Sequence, residues 1–288
     1  MRLDHVINEK FEPVSEVISN IIFYSVQYGE AQLKLIVLWL FLAALFFSFY
    51  LKFVNIWGFK HSIDLISGKF KNRFSKAKGE VTHFQALTAA LSGTVGLGNI
   101  AGVAVAVSLG GPGATLWMIF AGFLAMAAKF VECSLGLKYR VFNTNGTVSG
   151  GPMYYLSSGL RKIGYASLGK ILAIFFAVSA VFGSFGGGNM FQANQSFKQL
   201  LTATGGEASI FNGYGWLFGL LLAIIVGIVI IGGIKGIARV TEKVVPLMGG
   251  VYSLAALVII FINYDMLPSA LNSIFTKAFT PETTPVSV

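Results

Sequence analysis

The fold is decided by the stretch Ser92-Gly93-Thr94-Val95-Gly96-Leu97-Gly98-Asn99-Ile100-Ala101-Gly102. It lies within residues 81–128, which contain no Lys, Arg, Asp or Glu, and apolar helix formers flank it on both sides. Glycine and small polar residues near the middle of a membrane-length helix interrupt its backbone hydrogen bonds, and lipid cannot satisfy the groups that are released. These groups must face protein, water or a ligand, as they do at the ion and substrate sites of transporters.

The composition is that of an integral membrane protein. Of the 288 residues, 55% are hydrophobic and only 11% are charged, which leaves too little polar surface to enclose a soluble domain of this size. The formal net charge is +9, but the basic residues fall in short blocks between apolar runs rather than on one face of a domain. This distribution indicates membrane topology and argues against a nucleic-acid surface.

Six runs have the length of about 20 apolar residues that a bilayer-spanning helix needs. An all-α, polytopic fold with about six transmembrane helices is therefore predicted, and residues 13–28 are predicted to form an amphipathic surface helix outside the spans. The six predicted spans lie near 33–53, 82–107, 113–136, 170–196, 214–234 and 244–263.

The distribution of Lys and Arg orients these spans. Segments 52–80, 138–170 and 235–243 hold 15 of the 21 basic residues, the other loops and ends hold five, and Lys129 lies within a span. Because cytoplasmic loops collect Lys and Arg, these three segments are predicted to be cytoplasmic. The chain is accordingly expected in the cell (inner) membrane as a multi-pass protein with an extracytoplasmic N-terminus.

The broken helix supplies the candidate site. The amides of Leu97 and Gly98 at a helix start suit a carboxylate, and Gly96 and Gly98 let a ligand approach the backbone. The carbonyls of Ser92, Thr94 and Val95, together with the Asn99 side chain, suit a hard cation such as sodium. The alternative is that these glycines only allow close helix packing, which gives no role to the Ser, Thr and Asn among them.

A second polar cluster lies at 186–195, Gly-Gly-Gly-Asn-Met-Phe-Gln-Ala-Asn-Gln. Asn189 and Gln192 are three residues apart and share a helical face, so one or both could touch the substrate or the broken helix, or could bond a neighbouring helix instead. Residues 96–101 also fit the glycine pattern of dinucleotide-binding turns. That reading fails because the first acidic residue after it is Glu132 and the intervening chain is transmembrane.

Five motifs resemble the alanine or glycine:cation symporter family of amino-acid carriers, whose inverted-repeat fold is similar to that of the neurotransmitter:sodium symporters. They are SGTVGLGNIAGVAVA, GGPGATLWM, KFVECSLGLKYR, GTVSGGPMYYL and GGGNMFQANQS. The resemblance implies symport of a small neutral amino acid, such as alanine or glycine, with sodium or proton.

The resemblance also implies roles for residues of the break. Leu97 and Gly98 match substrate-carboxylate positions, with Thr94 and Gly96 beside them, and Asn99 and the Thr94 carbonyl match one sodium position. Ser92 and Val95 would offer carbonyls to a second sodium. No cofactor and no metal other than the transported sodium are expected, and no paired nucleophile and base suggests an enzyme.

The resemblance covers the N-terminal half of the family's architecture, an accessory helix and the first of two five-helix repeats. The second broken helix, with a motif resembling SNEAG, lies outside it, so the chain is expected to be a truncated carrier that is inactive alone. A channel-forming or non-transporting membrane subunit is the alternative. The expected segments are an amphipathic N-terminal segment at 1–31, the accessory helix at 32–54, a basic loop at 55–81, the repeat at 82–264 with its helix broken at 92–99, and a tail at 265–288.

Overall fold

The computed structural model describes residues 3–28, 31–70, 81–185 and 189–279. This part of the chain is almost entirely helical, with two short antiparallel hairpins, β1–β2 and β3–β4. The elements are α1 (Leu3–Ile22), β1 (Ser25–Tyr28), β2 (Ala31–Lys34), α2 (Leu35–Tyr50), α3 (Val54–Trp57), α4 (Phe59–Ile66), α5 (His83–Thr94), α6 (Leu97–Gly110), α7 (Ala114–Lys138), β3 (Val141–Phe142), β4 (Val148–Ser149), α8 (Pro152–Lys162), α9 (Ala166–Phe185), α10 (Phe191–Ala203), α11 (Gly215–Ile231), α12 (Gly233–Ile262) and α13 (Leu267–Lys277).

The described residues contain helices that can cross a membrane, as the composition predicts. Helices α7, α9 and α12 are long and apolar enough, and α5 with α6 makes a fourth candidate that is bent by 41°. Two further apolar helices, α2 and α11, have 16 and 17 residues. The all-α membrane class is therefore confirmed, whereas the six-span count stays a prediction.

Some element bounds differ from the predicted ones. The predicted helix at 13–28 ends at Ile22, and residues 25–28 instead pair as a strand with residues 31–34. Helix α12 begins eleven residues before its predicted span because its first three turns carry charged side chains, which lower the hydropathy without preventing helix formation. The predicted fourth span is helical to Phe185 and again from Asn189, where a π turn leads into α10; Gly186, Gly187 and Gly188 lie outside the described residues.

The described residues fall into two compact units. Residues numbered up to 59, 104–131 and from 265 onward belong to the first unit, and residues 60–103 and 132–264 to the second. In the first unit, the buried Ser48 hydroxyl of α2 donates to the Leu124 carbonyl of α7 at 3.2 Å, and Trp117 Nε1 donates to the Ala278 carbonyl at 2.7 Å. Polar side chains thus join apolar helices whose outer faces remain exposed.

In the second unit, α5 begins with a capping box that is tied to α12. The Thr82 hydroxyl accepts from the Gln85 amide at 3.2 Å, and Gln85 Oε1 accepts from the Thr82 amide at 3.0 Å. Gln85 Nε2 then donates to the Glu242 carboxylate of α12 at 2.9 Å. One side chain therefore caps the first half of the broken helix and attaches it to its neighbour.

Helices α8 and α9 pack closely against each other in the second unit, and Gly169 makes this approach possible. A Cβ atom at Gly169 would lie 2.7 Å from the Leu156 carbonyl oxygen and 2.9 Å from the Leu160 Cβ atom. Both distances are shorter than van der Waals contact, so any side chain at Gly169 must push the helices apart.

We predict that Gly169→Ala destabilises the protein by about 1–3 kcal/mol, because α8 and α9 must separate to admit a methyl group. Gly183→Ala is the matched control on the same helix, since no atom lies within 4 Å of the position its Cβ would take. Thermal unfolding of both variants in one detergent checks this. Equal midpoints for the two alanine variants would contradict the proposed close approach.

Candidate functional site

Helical hydrogen bonding is interrupted between Thr94 and Leu97. The Val95 amide still donates to the Leu91 carbonyl at 2.7 Å, but Val95 itself leaves the helix at φ −84° and ψ 84°. The Gly96 amide turns back to the Thr94 carbonyl at 3.1 Å, and α6 begins at Leu97. The predicted break at 92–99 is therefore present, and its non-helical part is narrower, at Val95 and Gly96.

The interruption leaves backbone groups without helical partners. Among the described residues, the amides of Leu97 and Gly98 donate to no backbone carbonyl, and the carbonyls of Ser92 and Val95 accept from no backbone amide. The Gly96 carbonyl, in contrast, accepts from the next helix turn through the amides of Asn99 and Ile100, each at 3.1 Å. Two donors at the start of α6 thus lie near two acceptors at the end of α5.

Side chains of the break also meet there. The Asn99 side-chain amide donates to the Thr94 carbonyl across the interruption, so two candidate cation ligands are in direct contact. The hydroxyls of Ser92 and Thr94 donate one turn back, to the carbonyls of Ala89 at 2.6 Å and Ala90 at 3.0 Å. Ser92 and Thr94 therefore offer main-chain oxygens toward a ligand more readily than hydroxyl protons.

Gln192 approaches the break from α10. A Cβ atom at Gly96 would lie 3.3 Å from Gln192 Nε2 and 3.7 Å from its Oε1, so the amide of Gln192 covers the bare backbone of Gly96. Asn189 is exposed in the π turn that precedes α10. The structure thus brings Gln192 to the broken helix.

Gly98 and Gly96 differ in their surroundings. No atom lies within 4 Å of the position that a Cβ at Gly98 would take, and Gly98 is exposed. The break is therefore open beside the Cα atom of Gly98, whereas the Gln192 side chain lies beside Gly96. No described protein atom therefore fills the space on the Cβ side of Gly98.

Sequence reasoning did not find the contact between Gln85 and Glu242. Glu242 is half-buried and lies among the basic residues Lys235, Arg239 and Lys243 of α12, yet its carboxylate binds the neutral Gln85 amide at 2.9 Å. The capping-box spacing of Thr82 and Gln85 was the local signal available. Glu242 lies 157 positions from Gln85, and no pattern in a single sequence predicts a contact between them.

Comparison with known proteins agrees with this geometry. The chain matches the model of the sodium:alanine symporter family over residues 16–287. It is 42% identical over 235 residues to the sodium/alanine symporter AgcS of Methanococcus maripaludis. The aligned residues cover 82% of this chain and 49% of the relative.

Two relatives from Bacillus subtilis are named for different solutes. The putative sodium/proton-dependent alanine carrier protein YrbD is 36% identical over 236 residues, covering 81% of this chain and 44% of the relative. The probable sodium/glutamine symporter GlnT is 32% identical over 246 residues, which cover 85% of this chain and 48% of the relative. The chain thus spans about half the length of the curated relatives it matches. On the family match and these identities, the chain belongs to the sodium:alanine symporter family.

Proposed function

We propose that this chain supplies the first half of a secondary active transporter that couples inward movement of sodium, or of protons, to uptake of a small neutral amino acid such as alanine or glycine. The observation that carries the proposal is the interrupted helix at Val95 and Gly96, which leaves amides and carbonyls unpaired in a member of a symporter family. Because the aligned part of this chain covers only about half of the relative, the proposal concerns the carrier that contains both repeats.

The substrate carboxylate is proposed to bind the amides of Leu97 and Gly98. Two unpaired N–H groups at a helix start combine hydrogen-bond donors with the partial positive charge of the helix dipole. The open space beside Gly98 fits a small ligand. Gln192, which covers Gly96, is placed to limit the size of the bound solute or to bond its polar groups, and Thr94 lines the same break.

The co-transported cation is proposed to bind the carbonyls of Ser92, Thr94 and Val95 and the side-chain oxygen of Asn99. Hard cations prefer neutral oxygen ligands of this kind when no carboxylate is close. Residues 81–128 contain no Asp or Glu, so a bound amino acid's own carboxylate is the available negative charge. A cation and a zwitterion bound together would therefore stabilise each other.

Alternating access then moves both solutes inward. Binding orders the break, and the bundle rocks so that the site opens to the cytoplasm. One elementary charge that crosses a membrane potential of 100 mV supplies about 2.3 kcal/mol, or roughly 50-fold accumulation before any sodium gradient is counted. Residence in the cell (inner) membrane with an extracytoplasmic N-terminus, as the distribution of Lys and Arg predicts, is part of the proposal.

A channel-forming or non-transporting subunit is the second candidate, and the comparisons do not favour it. The matched relatives with assigned solutes are described as symporters or carriers. Their solutes include alanine and glutamine, and one relative is described as sodium/proton-dependent. Transport assays must therefore decide which small neutral amino acid and which of the two cations the carrier moves.

We predict saturable uptake of labelled alanine into liposomes that is driven by an inward sodium gradient. The chain is reconstituted alone and together with the half of Methanococcus maripaludis AgcS that it does not cover. We expect coupled uptake when both repeats are present, with unlabelled glycine as competitor and intact AgcS as the positive control. Ion conductance without coupled alanine uptake in either preparation would support a channel and contradict the proposal.

We predict that Asn99→Ala raises the sodium concentration for half-maximal uptake by about tenfold or more, because the cation loses one oxygen ligand. Asn263→Ala is the matched control: Asn263 Nδ2 donates to the Ile259 carbonyl at 2.8 Å at the end of α12, away from the break. Sodium titrations at saturating alanine compare the two variants. Unchanged sodium dependence in Asn99→Ala would remove Asn99 from the cation site.

We predict that Gly98→Leu abolishes alanine binding without unfolding the chain, because its side chain enters open space and covers the adjacent amides. Gly102→Leu is the control, one helix turn further along α6, where a Cβ also meets no atom within 4 Å. Equilibrium binding of labelled alanine in sodium distinguishes the two. An equal loss of alanine binding in the Gly98→Leu and Gly102→Leu variants would mean that these glycines serve helix packing instead.

A further inference from the structure

Aromatic rings and basic side chains meet where α7 ends and α8 ends. Lys138 Nζ lies 5.7 Å and Lys162 Nζ lies 5.1 Å from the ring centroid of Tyr139, so one ring holds two ammonium groups. The Arg140 guanidinium lies 4.9 Å from the ring centroid of Phe142. Four of these five residues lie within positions 138–142, and we call the five together the Tyr139 cluster.

The position of Tyr139 follows from Gly159 on α8. A Cβ at Gly159 would lie 3.5 Å from the Tyr139 ring, so the ring rests on helix backbone that carries no side chain. Lys162 follows Gly159 by three residues and reaches the same ring from the last turn of α8. Two separate segments, α7 and α8, therefore combine their cations at one fixed place.

The acidic residues that flank the Tyr139 cluster in the sequence are Glu132 and Glu207. Residues 133–206 contain no Asp or Glu, although they carry six Lys and Arg residues. Among the described residues, no carboxylate lies within ion-pair distance of Lys138, Arg140 or Lys162. Like charges held this close repel one another, and a bound anion would relieve that repulsion.

Exposed apolar side chains belong to the Tyr139 cluster or lie next to it in the sequence. Leu137 and Phe142 are 63% and 51% exposed, and Ile163 and Tyr165, just beyond α8, are 65% and 59% exposed. A soluble phosphate would gain nothing from these neighbours, whereas a lipid would place its acyl chains against them. The segment is also one of the three that the distribution of Lys and Arg assigns to the cytoplasmic side, where anionic lipids attract basic residues.

We propose that the Tyr139 cluster is a binding site for the phosphate headgroup of an anionic phospholipid of the cytoplasmic leaflet. Lys138, Arg140 and Lys162 contact the phosphate oxygens, Tyr139 fixes the two lysines, and the exposed apolar side chains contact the acyl chains. The site does not depend on the transport proposal, because it lies at the C-terminal ends of α7 and α8 and in the segment that follows α7, and it is tested by lipid binding alone.

The test is native mass spectrometry of the intact chain in a mild detergent, titrated with phosphatidylglycerol or with phosphatidylcholine of the same acyl chains. We expect retention of phosphatidylglycerol in clear excess, and a roughly thirtyfold weaker affinity in the double variant Lys138→Gln/Lys162→Gln. Tyr139→Leu keeps every charge and is expected to weaken binding several-fold, because the lysines lose the ring that holds them.

The matched control is Lys235→Gln/Lys243→Gln, which removes the same charge from another predicted cytoplasmic segment. An equal loss of affinity in this control would show diffuse attraction and overturn the site. Equal retention of both lipids by the unmodified chain, or displacement of phosphatidylglycerol by an equal concentration of inorganic phosphate, would overturn it as well. Thermal unfolding of each variant without added lipid shows whether a loss of affinity reflects unfolding.

Discussion

The interruption of backbone hydrogen bonding between Thr94 and Leu97 is the constraint on which the functional account depends. In a bilayer each unpaired amide or carbonyl is costly, so a chain keeps such groups only where protein, water or a ligand satisfies them. Here two amides at the start of α6 and two carbonyls at the end of α5 lack helical partners. The Asn99 side chain bridges the gap to the Thr94 carbonyl, which holds the two helix halves together without restoring the helix.

Neighbouring elements position this interruption. Gln85 caps α5 and binds Glu242 of α12, which fixes the first half of the broken helix at its far end. Gln192 of α10 covers Gly96, so the open side of the break is beside Gly98. Since α5, α10, α12 and the start of α6 belong to one compact unit, the candidate site is built within that unit. A rigid attachment at one end and an open surface at the other are what a binding site for a small solute requires.

Sequence reasoning predicted the membrane class and the place of the break, because hydropathy and glycine content are local signals. The predicted break, at 92–99, was longer than the observed one. Ser92 and Thr94 remain helical, and their hydroxyls donate to backbone carbonyls one turn earlier in α5. Sequence reasoning also started α12 too late, because hydropathy marks the lipid-crossing part of a helix and not its charged first turns. The contacts of Gln85 with Glu242 and of Gly96 with Gln192 join distant positions, which periodicity in one sequence does not reveal.

Amide hydrogen exchange, resolved to single residues in the reconstituted chain without substrate, tests the central claim most directly. The amides of Leu97 and Gly98 should exchange much faster than those of residues 101–104, which donate within the helix that follows. Protection of Leu97 and Gly98 equal to that of residues 101–104 would mean that the helix is continuous through Gly96, and no backbone site would then remain to bind an amino acid or its cation.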